Sequence, residues 1–283
     1  MNKIFFVFAV FILSFNVASS QSKLQRSKMQ LNNGATGNSV SSYGSSSSSH
    51  STGSSYTNNS DGFGFIGDLV VGITYYTVGF IMIGNYRSES HLRNEVSPYP
   101  FFRSNTGNYY KTDTLNKVTK SMVRFDMEDY LMVENNTIYG NHFRAKLYPS
   151  EYFNITTDYH QLLEIEPTTK NTTSLSLFNV SFWYDRIRTK NFNLGWGVGL
   201  NYITNNINKA GLTFGLNTDI FFSRNINIYS GAKWSSVNAQ PLNNFELGMK
   251  YHKEKHFFSL GYEHLKIGTP KYNFISFGGG ITL

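Results

Sequence analysis

From Ser121 to the end of the chain, apolar and polar residues alternate with a period of two, in segments separated by short polar connections. Successive side chains of a β-strand point to opposite faces, so each such segment has one apolar and one polar face. The pattern predicts strands over 121–133, 137–147, 151–163, 172–185, 192–204, 211–223, 226–235, 242–252, 256–265 and 273–283. The clearest is Phe192 to Tyr202, where every second residue is large and apolar and every residue between is Gly or Asn. Most segments match the length a tilted strand needs to cross a hydrocarbon layer.

The apolar faces carry Val123, Phe125 and Met127; Tyr139, Phe143, Ala145 and Leu147; and Phe178, Val180, Phe182 and Tyr184. Later segments add Leu212, Phe214, Leu216, Ile220 and Phe222, then Phe258, Leu260 and Tyr262. The opposite faces carry Arg124, Asp126, Glu128, His142, Arg144, Lys146, Asp158, His160, Asp219, Glu246 and Lys250. Charges of both signs on one face, with aromatics on the other, fit a barrel with an ion-paired lumen and a lipid-facing exterior. Connections alternate in length: 148–150, 186–191, 224–225 and 253–255 are mostly shorter than 164–171, 205–210 and 265–272. The expected fold is an all-β, antiparallel up-and-down transmembrane barrel of about ten strands, eight to twelve being compatible, with a short N-terminal helical segment.

Upstream, Met1-Asn2-Lys3, the uncharged run Ile4 to Leu13 and the small residues before Gln21 read as a signal peptide over 1–20. No Cys follows it, so a lipoprotein anchor is excluded. Residues 21–61 are rich in Ser, Gly and Asn and carry too little apolar surface to offset chain entropy, so a disordered tether is expected. In 62–120, Phe63 to Ile83 is long and apolar enough to cross a bilayer, yet its glycines and β-branched residues disfavour an autonomous helix. A transmembrane helix, an amphipathic surface helix and a strand pair all fit, and the amphipathic helix is favoured. Ser97-Pro98-Tyr99-Pro100-Phe101-Phe102 then forms an irregular, aromatic linker to the barrel of 121–283.

Composition narrows the class. The chain has no Cys, 24 Gly, 24 Phe, 19 Tyr and a net charge of +7. A negative mean hydropathy argues against a helical membrane protein, which needs long uniformly apolar runs. The positive charge is scattered through loops, and no basic cluster with interleaved aromatics marks a nucleic-acid surface. Three stretches carry a resemblance: Tyr99-Pro100-Phe101 with Gly107-Asn108-Tyr109-Tyr110; Gly195 to Tyr202; and Gly261-Tyr262-Glu263-His264 with Ile267-Gly268. Over residues 62–283 the chain resembles the small, uncharacterised outer-membrane β-barrel proteins of Bacteroidetes and other Gram-negative bacteria. The resemblance implies location in the cell outer membrane, contact with its lipid and lipopolysaccharide, and recognition of the C-terminal strand by the insertion machinery. It brings no catalytic residues. Leu283 stands where such barrels usually end in Phe or Trp.

Candidate chemistry is thin. Tyr262-Glu263-His264-Leu265-Lys266 loosely resembles part of a lipid A deacylase site, but Lys266 stands where the serine nucleophile is needed. His252 and His256 flank Glu254 across a turn, and His142 and His160 lie on adjacent strands; solvated or hydrogen-bonded histidines explain both pairs. The expectation is therefore a non-enzymatic barrel without cofactor or metal, serving a structural or surface-interaction role. A small-solute pore is the first alternative, and a secreted soluble barrel holding an apolar ligand is the second.

Overall fold

The computed structural model describes residues 22–34, 79, 81–102, 107–111, 123–167, 170–223 and 225–283. The expected signal peptide and nearly all of the apolar segment 63–83 lie outside them. No helix among the described residues is long and apolar enough to cross a membrane.

Ten strands close into one antiparallel barrel. They are β3 (Arg124–Val133), β4 (Ile138–Tyr148), β5 (Phe153–Ile165), β6 (Thr172–Arg188), β7 (Phe192–Ile203), β8 (Lys209–Ser223), β9 (Ile226–Val237), β10 (Gln240–Lys253), β11 (His256–Ile267) and β12 (Lys271–Thr282). Each pairs with its sequence neighbour, and β12 closes on β3 along Ile275–Thr282 against Asp126–Val133. Connections are tight: Asn238 and Ala239 both adopt positive φ, the geometry of a two-residue hairpin whose twist matches its strands. The strand expected to stop at 185 runs on to Arg188, because a bulge between Asp185 and Ile187 lets the ladder continue.

The outer face is apolar, with Phe178, Val180, Phe182, Leu200, Leu212, Phe258 and Leu260 all exposed. The glycines of β7 face inward, and they make room for a neighbour. A Cβ on Gly197 would fall 2.5 Å from Cδ2 of the buried Trp183, and one on Gly215 would fall 2.6 Å from its Cη2. The small face of 192–202 therefore accommodates an indole from the adjacent strand, besides opposing charges.

The stretch expected to be a tether contains a helix. Helix α1 (Lys23–Asn33) lies across the barrel rim, beside the 134–137, 204–208, 238–239 and 268–270 connections. Leu24 and Leu31 are fully buried there, in one cluster with Met132, Ile138, Leu162, Leu175, Ile203, Leu265 and Phe274. The compositional argument failed because three residues at helical spacing, Leu24, Ser27 and Leu31, suffice when a preformed apolar rim receives them. Ser22 caps the helix N-terminus, its Oγ accepting from the Gln25 amide at 3.3 Å, and the barrel adds bonds at both ends. Glu164 accepts hydrogen bonds from the Lys23 and Leu24 backbone amides at 3.0 and 2.7 Å, placing a carboxylate at the positive helix end. Asn238 Nδ2 donates to the Leu31 carbonyl at 2.7 Å.

Replacing Leu24 and Leu31 with Ala should cost about 2–5 kcal/mol of docking energy per site. In hydrogen exchange, amides of residues 23–33 should lose protection while the barrel amides keep theirs.

Candidate functional site

The barrel interior is stacked in three tiers. Below α1 lies the apolar cluster already described, and below it a charged middle tier. At the far rim, residues 81–102 and 107–110 pack into the opening.

The middle tier is organised by Asp158 of β5. Its Oδ1 accepts hydrogen bonds from Arg144 Nε at 2.6 Å and His142 Nε2 at 3.0 Å, and its Oδ2 accepts from Lys233 Nζ at 2.5 Å. Arg144 also reaches across to Glu246 of β10, with Nη2 2.7 Å from Oε1 and 2.9 Å from Oε2. Glu128 pairs with Lys250 at 2.8 Å and accepts from the Tyr130 hydroxyl. His142 and His160, direct register partners on β4 and β5, stack with ring centroids 3.7 Å apart. Both point a ring nitrogen at Glu263: His142 Nδ1 at 3.1 Å and His160 Nε2 at 2.7 Å. An ion pair this deep must neutralise nearly all its charge internally, since the desolvation of a lone buried ion costs several kcal/mol.

At the far rim, Arg124 holds Asp126 in a two-point contact of 2.5 and 2.8 Å and donates to Asn108 Oδ1 at 3.1 Å. Strands β1 (Glu95–Val96) and β2 (Tyr109–Tyr110) form a small hairpin, whose Val96 and Tyr109 pack on Tyr148. The Tyr109 hydroxyl donates to Asp185. Arg188, fully buried, donates to the carbonyls of Leu92 and Glu151 and lies over the Tyr152 ring. On the rim exterior, Arg186 binds Glu89 with nitrogen–oxygen distances of 2.7 and 3.1 Å. That hydrogen bond is the main reason the Glu89 carboxyl titrates at about 2 instead of the usual carboxylate range.

All eleven lumen candidates face inward: Arg124, Asp126, Glu128, His142, Arg144, Lys146, Asp158, His160, Asp219, Glu246 and Lys250. Asp219 accepts from Asn227 at 3.0 Å, and Lys146 lies 5.9 Å from the Tyr148 ring. They form two groups, because Arg124, Asp126 and Asp219 belong to the rim and most of the rest to the middle tier. The sequence reading missed Glu263, Lys233 and Trp183 as interior residues. Strand parity marks the first two, since Tyr262 and Trp234 face outward and their successor and predecessor must face inward. His252 and His256 do not meet across their turn. His252 is buried and hydrogen-bonded to Asn227 at 2.7 Å, whereas His256 is on the exposed face. His264 is likewise outside, 2.7 Å from Asn273.

No family model and no curated protein matches the chain. Among solved structures it is similar to the N-terminal β-barrel domain of Pseudomonas aeruginosa OprF, at 11% identity over 58% of this chain and 100% of that one, with a TM-score of 0.30. It is also similar to an outer membrane channel from Pseudomonas putida F1, at 6% identity over 61% and 99% of the two chains, with a TM-score of 0.34. A third is Ail, the attachment invasion locus protein of Yersinia pestis, at 9% identity over 58% and 100%, with a TM-score of 0.30. Likeness of this degree is to barrels as a class and assigns no activity.

Asp158→Asn should leave Arg144 and Lys233 without their shared counter-charge and destabilise the barrel by about 3–5 kcal/mol. The denaturant midpoint of the refolded variant in detergent reads this out. Glu89, whose folded-state titration point lies below that of the free side chain, adds rim stability above about pH 4.5 that is lost as pH falls through about 2. A carbon-13 NMR titration of the Glu89 carboxyl should return to the ordinary range in Arg186→Gln.

Proposed function

We propose that this chain is an integral outer-membrane β-barrel with a closed lumen, acting as a structural or surface-interaction element without catalysis. One observation carries the reading: the apolar belt is on the outside and the charge is on the inside. Leu212 is 76% exposed and Phe258 70%, amid Phe182, Val198, Leu200, Phe222, Leu247, Leu260 and Phe277, which are also exposed. Soluble monomers rarely present contiguous apolar patches beyond a few hundred Å². A sheet closed on itself satisfies every wall hydrogen bond, as hydrocarbon requires. Asp129 interrupts the belt, and Asn141 Nδ2 donates to it at 2.8 Å. A soluble barrel holding an apolar ligand would need the aromatic faces turned inward, opposite to their orientation here.

The inner tiers argue for closure over conduction. Between the middle tier and the far rim, Glu128, Arg144, Lys146, Trp183, Asp219 and Lys250 surround a cavity of about 40 Å³, which is room for a few water molecules. Helix α1 covers one opening, and residues 81–102 and 107–110 pack into the other. Lipid and lipopolysaccharide are the partners this exterior fits, and the terminal strand is the part the insertion machinery would engage.

Expressed in a Gram-negative host, the protein should fractionate with the outer membrane and migrate differently on gels before and after boiling. In planar bilayers the purified barrel should give no conductance steps. Periplasmic recovery in soluble form would overturn the location, and stepwise conductance by the intact chain would favour the small-solute pore.

A further inference from the structure

We propose that His142, His160 and Glu263 form a buried binding site for one divalent transition-metal ion of the zinc class. Three strands, β4, β5 and β11, place two imidazoles and one carboxylate so that their donor atoms all lie within 4.8 Å of one another. All three residues are buried. Two nitrogens and one oxygen make a donor set that suits zinc, cobalt or nickel; calcium and magnesium prefer all-oxygen shells.

The surroundings are arranged as a ligand histidine requires. A metal-bound imidazole normally donates its second ring N–H to a carboxylate, which fixes the tautomer and aims the free lone pair. Asp158 Oδ1 lies 3.0 Å from His142 Nε2 and is itself held by Arg144 and Lys233. That leaves His142 Nδ1 directed at Glu263 and the shared site. Carboxylate oxygens face both nitrogens of His142, and its ring stacks 3.7 Å from a second imidazole. With an ion bound, Nδ1 gives its lone pair and the Nε2–H bond to Asp158 persists. A further oxygen is at hand. Asn244 places Nδ2 3.0 Å from Glu263 Oε1, while its own Oδ1 is buried without a hydrogen-bond partner. Rotating that amide would bring an oxygen to the cluster as a fourth donor.

The test uses the untagged full-length protein, refolded into detergent from chelator-treated denaturant in the presence of Co²⁺ or Zn²⁺. Metal present during folding makes entry into the closed interior irrelevant. After desalting, metal content is measured by mass spectrometry, and bound Co²⁺ by its visible absorption. The folded fraction is read separately from the gel shift on boiling. The expected result is about one ion per folded barrel, with loading at limiting metal reduced about tenfold or more in folded His160→Gln and Glu263→Gln. His252→Gln, whose imidazole binds Asn227 elsewhere in the lumen, should load normally. A folded wild-type barrel that retains no metal would overturn the proposal. So would folded His160→Gln and Glu263→Gln variants that load like the wild type.

Discussion

Asp158 of β5 makes contact with three cationic or cation-forming side chains at once, from β4 and β9. Its carboxylate is fully buried, as is the histidine that leans on it. Buried charges of this kind are stable only as a complete set, so Arg144, Lys233, Glu246 and the histidine pair are mutually dependent. The middle of the barrel is therefore a single electrostatic unit, and its composition dictates what may lie above and below it.

The two outer tiers follow from that dependence. A charge network is strengthened where water is excluded, and each end of the barrel excludes water by different means. At one end, α1 closes over leucines and isoleucines and leaves few polar groups to satisfy. At the other, a polar hairpin and the buried Arg188 replace solvent with fixed carbonyls and hydroxyls. Apart from Arg188, which belongs to β6, both covers come from residues that precede the barrel in sequence.

The wall was legible in the sequence because period-two alternation is a local signal, repeated along each strand, and a barrel keeps its parity all the way round. Parity alone also identified the inward charges from Arg124 to Lys250. It could not reveal which of them meet, since Arg144 and Glu246 are far apart along the chain and are joined only by closure. Glu263 was read within a motif of neighbouring letters, where its outward neighbour His264 drew attention. Helix α1 is not legible in composition because its three buried residues and its Ser22 cap need the rim, with Glu164 and Asn238, to hold them. The glycine-rich strand β7 was legible as a two-faced wall, but the indole it accommodates belongs to β6 and to no pattern within β7.

The seam between β12 and β3 has the shortest register in the barrel, Ile275 to Thr282 against Asp126 to Val133. Gly278 allows the two backbones to press together there: a Cβ would fall 1.9 Å from the Asp129 carbonyl oxygen. The last strand of the barrel must pair with the first before the sheet has any inside. Until that ladder forms, the ion network has no enclosed space and the caps have no rim to rest on. The seam is thus the joint that turns an open sheet into a cylinder, and it does so with the fewest paired residues of any in the wall.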